Sequence, residues 1–183
     1  MPIGQLIYFR VDGEVEVDYA MKSSAKYNQR TPKPVESMMW KNIFWVAEDT
    51  LHREILEEHA RNPQFDDLIT KPTHKADFHS NKTGNICKIT LKVEKGRIVK
   101  IGMKVQGSAL ASASASILFS ELKELTLEEA QHIHQGIFKI LLDGEINELP
   151  GDLCVYQSIV HLPERHDCAL LAWKALGEAL AFQ

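Results

Sequence analysis

Ten consecutive residues with almost only small side chains, 107–116, constrain the fold of this chain more than any other stretch. Apolar residues alternate up to Val105, which predicts a strand, and large apolar residues return from Ile117, which predicts the second half of a helix. Alanines and serines at helical spacing let a neighbouring element approach the helix closely. The stretch therefore predicts a strand that leads through Gly107 into a tightly packed helix.

Ser108, directly after the glycine, lies at the expected start of that helix. Unpaired backbone N–H groups and the positive end of the helix dipole favour negative charge at such a position. The small side chains could equally leave room for a group that is not protein. A close-packed helix start and a binding site are both open from this stretch alone, and the first is the simpler interpretation.

The composition is that of a globular protein with a core: of 183 residues, 44% are hydrophobic and 25% are charged. The net charge of −4, without a basic tract, argues against nucleic acid or an anionic membrane as the main partner. No apolar run approaches the roughly 20 residues that span a bilayer, and the N-terminus lacks the pattern of a secretory signal. The three cysteines form no CxxC pair, so we expect a cytoplasmic protein.

The first 34 residues are predicted to form an N-terminal extension, and residues 35–183 the main domain. Alternating apolar residues on both sides of Asp12-Gly13 predict a β-hairpin. Pro32 and Pro34 exclude a regular helix after it and predict a linker. Such an extension offers a surface through which a partner, or a second copy of the chain in a homo-oligomer, could associate.

The main domain is predicted to be α+β, with a small three-stranded antiparallel sheet packed against several helices. The predicted elements are helical sequence from residue 35 to Asn62-Pro63, as one helix or two, strands at 76–80, 87–93 and 97–106, and helices beginning near 108, 126 and 167. Thr126 and Glu129 have the spacing of a capping box. Asp167 suits the N-cap position of the last helix.

Three places could carry chemistry, and each lies at the end of an element. They are the turn Thr83-Gly84-Asn85, Ser108, and Asp167-Cys168 with His166 beside it. At the start of a helix, the dipole would favour a thiolate at Cys168. In a small α+β domain these three ends could converge at one tip.

Four other histidines and one other cysteine have simpler interpretations. His52 and His59 are seven residues apart, and we expect the helix face that they share to be exposed. His132 and His134 are two apart on a helix, so they point to different faces and form no chelating pair. Cys87 falls on the inward face of its strand and is expected to be a structural core residue.

Four segments, in order, resemble the U-type iron–sulfur cluster assembly scaffold family, which includes SufU, IscU and the amino-terminal domain of NifU. They are the helix with its terminal Asn-Pro at 51–63, the meander at 78–106, the Ala/Ser motif at 107–116 and the segment at 162–173. Each motif alone has low specificity, whereas four at suitable distances are specific. The resemblance is closest to the SufU branch, because Arg165 and Trp173 match it.

Members of that family hold zinc or a nascent iron–sulfur cluster at three cysteines, with an aspartate near the first. The resemblance places these ligand positions at Thr83, Asn85, Ser108 and Cys168, with Asp167 directly before the last. Thiolates bind zinc and iron far better than hydroxyls do. With hydroxyls at two of the cysteine positions, the resemblance implies an iron–sulfur cluster, zinc, or no cofactor at all.

Three functions are consistent with the sequence. The resemblance implies a non-enzymatic scaffold for iron–sulfur cluster assembly, with a cysteine desulfurase or other assembly proteins as partners. The alternative is a degenerate interaction module, which keeps the fold and binds such a partner without a metal. In the third, Cys168 accepts sulfur as part of an enzyme.

Overall fold

The computed structural model describes residues 50–145 and 149–181, together with the backbone of two strands near the N-terminus. Strand β1 (Ile7–Val11) pairs with strand β2 (Glu14–Asp18) in antiparallel register. They belong to the first of two compact units, Met1–Met39 and Trp40–Gln183. The predicted linker and the helical sequence before residue 50 lie outside the described residues, so the division after residue 34 stays a prediction.

A three-stranded antiparallel sheet with the order β3-β4-β5 forms one layer of the second unit, as predicted. Its strands are β3 (His74–His79), β4 (Ile86–Glu94) and β5 (Arg97–Gln106). Lys95 and Gly96 have φ angles of 51° and 75°, which suit the tight hairpin turn between β4 and β5. Alternate residues of β4, among them Cys87 and Leu91, are completely buried and face the core.

The described residues form six α-helices, which together with the sheet make the fold α+β, as predicted. They are α1 (residues 50–61), α2 (Ala109–Leu122), α3 (Leu127–Phe138), α4 (Tyr156–Ile159), α5 (His166–Ala169) and α6 (Leu171–Ala181). Short 3₁₀-helices at Gly151–Val155 and Pro163–Arg165 precede α4 and α5. Helix α6 packs on β3 and β4, and α2 packs on β5. None of the helices in the described part of the chain is long and apolar enough to cross a membrane.

Helix α3 begins where the sequence predicts. The Thr126 hydroxyl accepts a hydrogen bond from the Glu129 backbone N–H, and the Glu129 carboxylate accepts one from the Thr126 backbone N–H, so the capping box is confirmed. These hydrogen bonds hold the pKa of Glu129 below its ordinary value. At the other end the chain widens into a π-helical segment, Lys139–Asp143, which Gly144 ends with a φ of 70°.

The Ala/Ser half of α2 is buried, and it allows the close packing that the sequence predicts. Ala111, Ala113 and Ala115 are at most 1% exposed, and so are Ser114 and Ser116. A buried hydroxyl is costly unless it finds a hydrogen-bond partner. Each of these two serines therefore has to pair with an atom of another element.

Ser114 connects α2 to the C-terminal helices through a chain of buried hydrogen bonds. Its Oγ donates to the backbone oxygen of Ala169 at 2.5 Å and lies 2.7 Å from Tyr156 Oη. Tyr156 Oη in turn accepts a hydrogen bond from Trp173 Nε1 at 2.6 Å. Burial raises the pKa of Tyr156 to about 12, so its hydroxyl keeps the proton that it donates to Ser114.

Helix α1 is held by two inward-pointing histidines, which corrects the prediction of an exposed histidine face. His52 is only 6% exposed, and its Nδ1 lies 2.6 Å from Ser158 Oγ. His59 Nδ1 lies 2.7 Å from Ser116 Oγ, and its Nε2 lies 2.9 Å from Asp152 Oδ2. The prediction was wrong because polar side chains can be buried when their partners come from distant elements, and helical spacing alone does not reveal those partners.

We predict that Ser114→Ala lowers the free energy of unfolding by about 1–3 kcal/mol, because it removes the acceptor of the buried Tyr156 hydroxyl proton and a donor to the Ala169 backbone oxygen. Urea unfolding followed by circular dichroism measures this change. Ser120, exposed on the same helix, provides the matched control. Ser120→Ala should be neutral or slightly stabilising, since alanine is the better helix former. Equal effects of both substitutions would contradict the structural role of the Ser114 hydroxyl.

Candidate functional site at the ligand tip

Three segments that are distant in sequence meet in one place: the turn at 80–85 between β3 and β4, the start of α2, and helix α5. Seven residues lie at this place, and we call them the ligand tip: Ser80, Thr83, Asn85, Ser108, Asp167, Cys168 and Lys174. The five positions that the sequence predicts as metal ligands all belong to it, so the structure brings them together. Their role as ligands stays a prediction.

Asn85 lies at the centre of the ligand tip and links α2 to α5. It is 6% exposed, its Oδ1 accepts a hydrogen bond from the Ser108 backbone N–H at 3.2 Å, and its Nδ2 donates to Cys168 Sγ at 3.4 Å. Gly107 permits this arrangement, because a Cβ at that position would lie 2.5 Å from Asn85 Oδ1. The glycine is therefore needed for the close approach of the Asn85 side chain.

Ser108 is the N-cap of α2, which is the simpler of its two interpretations. Its Oγ accepts a hydrogen bond from the Ala111 backbone N–H at 3.2 Å. An N-cap serine satisfies one of the unpaired N–H groups in the first turn of a helix. The family resemblance implies a cysteine at this position. The serine hydroxyl found there caps the helix.

Asp167 does not cap the last helix, contrary to the prediction. It lies inside α5, whose N-cap is Arg165, because the chain enters α6 through two short helices. Its carboxylate instead reaches the turn at 80–85 and α6. Oδ2 accepts a hydrogen bond from Ser80 Oγ and lies 3.3 Å from Thr83 Oγ1, and Oδ1 accepts one from Lys174 Nζ at 2.8 Å.

The ligand tip contains an ion pair. Burial by itself raises the pKa of Asp167, but the hydrogen bonds from Lys174 and Ser80 outweigh it and hold that pKa below its ordinary value. The carboxylate is therefore ionised at neutral pH. The Lys174 ammonium pairs with it and also lies 5.4 Å from the centre of the Phe78 ring, within the range of a cation–π interaction.

Sequence reasoning missed two residues of the ligand tip, Ser80 and Lys174. Ser80 is 5% exposed, and its Oγ accepts a hydrogen bond from the Thr83 backbone N–H at 3.2 Å. A serine three residues before a turn threonine is a recognisable turn signal, so this contact could have been found. Lys174 follows Asp167 by seven residues, whereas charged residues that pair on one helix are three or four apart, so the spacing gave no signal for this pair.

Two other candidates lie away from the ligand tip. His166 turns its ring toward the end of α4, where Nε2 lies 3.1 Å from the backbone oxygen of Ile159. Cys87 is completely buried in the sheet, and burial raises the pKa of its thiol to about 12. Cys87 is therefore the neutral core residue that the sequence predicts.

The donor atoms of the ligand tip do not fit zinc or an iron–sulfur cluster. Cys168 supplies one thiol, whereas Thr83, Ser108 and Asn85 supply hydroxyls and an amide, which bind these metals far more weakly than thiolates. Both carboxylate oxygens of Asp167 already accept hydrogen bonds. Among residues 50–145 and 149–181, no group of three or more His, Cys, Asp or Glu side chains is placed to hold a metal ion.

We predict that Gly107→Ala lowers the free energy of unfolding by about 1–3 kcal/mol, because its Cβ would overlap the Asn85 side chain. Thermal unfolding measures the change, and the side-chain amide NMR signals of Asn85 should shift. Gly136→Ala is the control, since its Cβ would lie 3.7 Å from Leu149 Cδ2 and alanine suits a helix better than glycine. A Gly107→Ala protein as stable as the Gly136→Ala protein would contradict this account.

Comparison with known proteins identifies relatives over most of the chain. The zinc-dependent sulfurtransferase SufU of Bacillus subtilis is 26% identical over 136 residues, which are 73% of this chain and 91% of that protein. The iron–sulfur cluster assembly scaffold protein IscU of Streptococcus pyogenes is 23% identical over 133 residues, which are 71% of this chain and 82% of that protein.

A solved structure and a family model agree with these relatives. The N-terminal part of a nitrogen-fixing NifU-like protein from Brucella abortus has the same fold, with a TM-score of 0.66 and 21% identity over 74% of this chain and 94% of that chain. The model of the NifU-like N terminal domain matches residues 51–182. The chain therefore belongs to the NifU-like N-terminal domain family, the scaffold family that its sequence resembles.

Proposed function

We propose that this chain acts in iron–sulfur cluster assembly as a scaffold-like protein, and that the ligand tip is the part of its surface that meets the assembly machinery. The observation that supports this most is that all five ligand positions implied by the resemblance lie together within the family fold, although only Cys168 keeps the side chain that the family has there. The names of its SufU and IscU relatives, a sulfurtransferase and a cluster assembly scaffold, support the same process.

We further propose that a cysteine desulfurase is the partner and that the chain is not itself an enzyme. Cysteine desulfurases deliver sulfur to proteins of this family, as the resemblance implies. With one thiol at the ligand tip, the chain contributes a protein surface more readily than a set of metal ligands. Cys87, Cys154 and Cys168 form no disulfide in the described part of the chain, which supports a reducing, cytoplasmic location. Residues 1–34 are a second candidate surface, either for the partner or for a homo-oligomer.

The test is binding of the purified full-length chain to a cysteine desulfurase from the same organism, measured by isothermal titration calorimetry. We expect a complex, and we expect Lys82→Glu to weaken it by about tenfold, because Lys82 is exposed in the turn of the ligand tip and a reversed charge disturbs a docked surface. Lys123→Glu is the matched control. Lys123 is also exposed, but it follows the last turn of α2, roughly 20 Å along the helix axis from Ser108.

No complex with the desulfurase would contradict the proposed partner. A complex that Lys82→Glu and Lys123→Glu weaken equally would contradict the proposed surface. Anaerobic reconstitution with iron and sulfide, followed by visible absorption, tests the scaffold role in its direct form. The donor set leads us to expect substoichiometric iron, and a full cluster whose absorption is lost in Cys168→Ser would show that the ligand tip holds its cargo directly.

A further inference from the structure

We infer that the Lys174 ammonium is the cation of the ligand tip. It holds α5 and the turn at 80–85 together without a metal ion. This inference concerns the chain's own charges and does not depend on the proposed partner. The family resemblance implies metal ligands at this place, whereas the side chains present do not fit a metal.

The position of Lys174 suits this role. It lies in the first turn of α6, its side chain is 29% exposed, and its Nζ lies 2.8 Å from Oδ1 of Asp167, whose side chain is 14% exposed. The ring of Phe78 on β3 lies beneath the ammonium. A half-buried cation between a carboxylate and an aromatic ring is favourably placed, because both neighbours attract positive charge.

The charges of the ligand tip are balanced as they stand. Asp167 supplies one negative charge and Lys174 one positive charge, while the aligned positions Thr83, Asn85 and Ser108 are neutral. A divalent ion would have to displace the ammonium from the carboxylate. It would also break the hydrogen bond from Asn85 Nδ2 to Cys168 Sγ. These costs oppose metal binding in addition to the lack of thiolates.

The same ion pair orders the neighbouring turn. The Asp167 carboxylate accepts a hydrogen bond from Lys174 at Oδ1 and another from the Ser80 hydroxyl at Oδ2. Ser80 then accepts the Thr83 backbone N–H through Oγ at 3.2 Å and the Gly84 backbone N–H through its carbonyl oxygen at 2.9 Å. The chain of contacts from α6 through α5 to the turn is complete without any metal.

The first test measures the turn directly. We expect Lys174→Met, which keeps the apolar stem and removes the charge, to increase the amide hydrogen exchange of residues 83–85 by about tenfold. Lys174→Arg keeps the charge and should keep most of the protection. Lys88→Met is the matched control, because Lys88 forms an ion pair with Asp77 in which both side chains are nearly half exposed, and such pairs contribute little. If Lys174→Met exchanged no faster at 83–85 than Lys88→Met, the inference would be wrong.

The second test uses zinc chloride, and its measurement on the wild-type chain remains decisive if Lys174→Met folds poorly. Neither zinc nor a chelator should shift the melting temperature of the wild-type chain. The combined change Thr83→Cys, Asn85→Asp and Ser108→Cys should create zinc binding, and adding Lys174→Met should tighten it by about tenfold, since the competing cation is gone. Uptake of one equivalent of zinc by the wild-type chain, lost in Cys168→Ser, would overturn the inference. So would equal zinc affinity with and without Lys174.

Discussion

The buried hydrogen bonds of Ser114 and Ser116 in α2 are the contacts on which the rest of the domain depends. Each joins the central helix to elements far away in sequence: Ser114 to Tyr156 and Ala169, and Ser116 to His59 of α1. The buried alanines 111, 113 and 115 of the same helix let those elements come close enough for the bonds to form. Close packing and polar pairing are thus two effects of one alternating sequence. A buried hydroxyl without a hydrogen-bond partner would destabilise the core, so the close approach and the hydrogen bonds depend on each other.

The same helix also positions the functional site. Its N-cap, Ser108, and the glycine before it hold the Asn85 side chain against the start of α2, and Asn85 in turn reaches Cys168. The geometry of the ligand tip therefore follows from where α2 begins, and α2 begins there because its small face is fixed in the core. Lys174 of α6 and Asp167 of α5 add an ion pair to the same site.

Local features of this fold could be predicted from the sequence, whereas contacts between distant elements could not. The strands, the capping box at Thr126 and the start of α2 follow from residue spacing over a few positions. The positions of Thr83, Asn85 and Cys168 at the ends of elements in a small domain suggested that they converge, and the family resemblance added that these positions form one ligand site. The burial of His52 and the pairing of Lys174 with Asp167 were missed, since a polar side chain's partner depends on tertiary packing.

The Ala/Ser motif consists of two parts that can change independently. Positions 111–116 contact the core, so the fold constrains them directly. Position 108 lies at the helix end and in the ligand tip, and there a serine hydroxyl caps the helix. A thiol could therefore be exchanged for a hydroxyl at 108 while the scaffold stayed intact. Because the ion pair of Asp167 and Lys174 orders the tip by other means, this chain keeps the architecture of a cluster scaffold without the donor set that would hold a cluster.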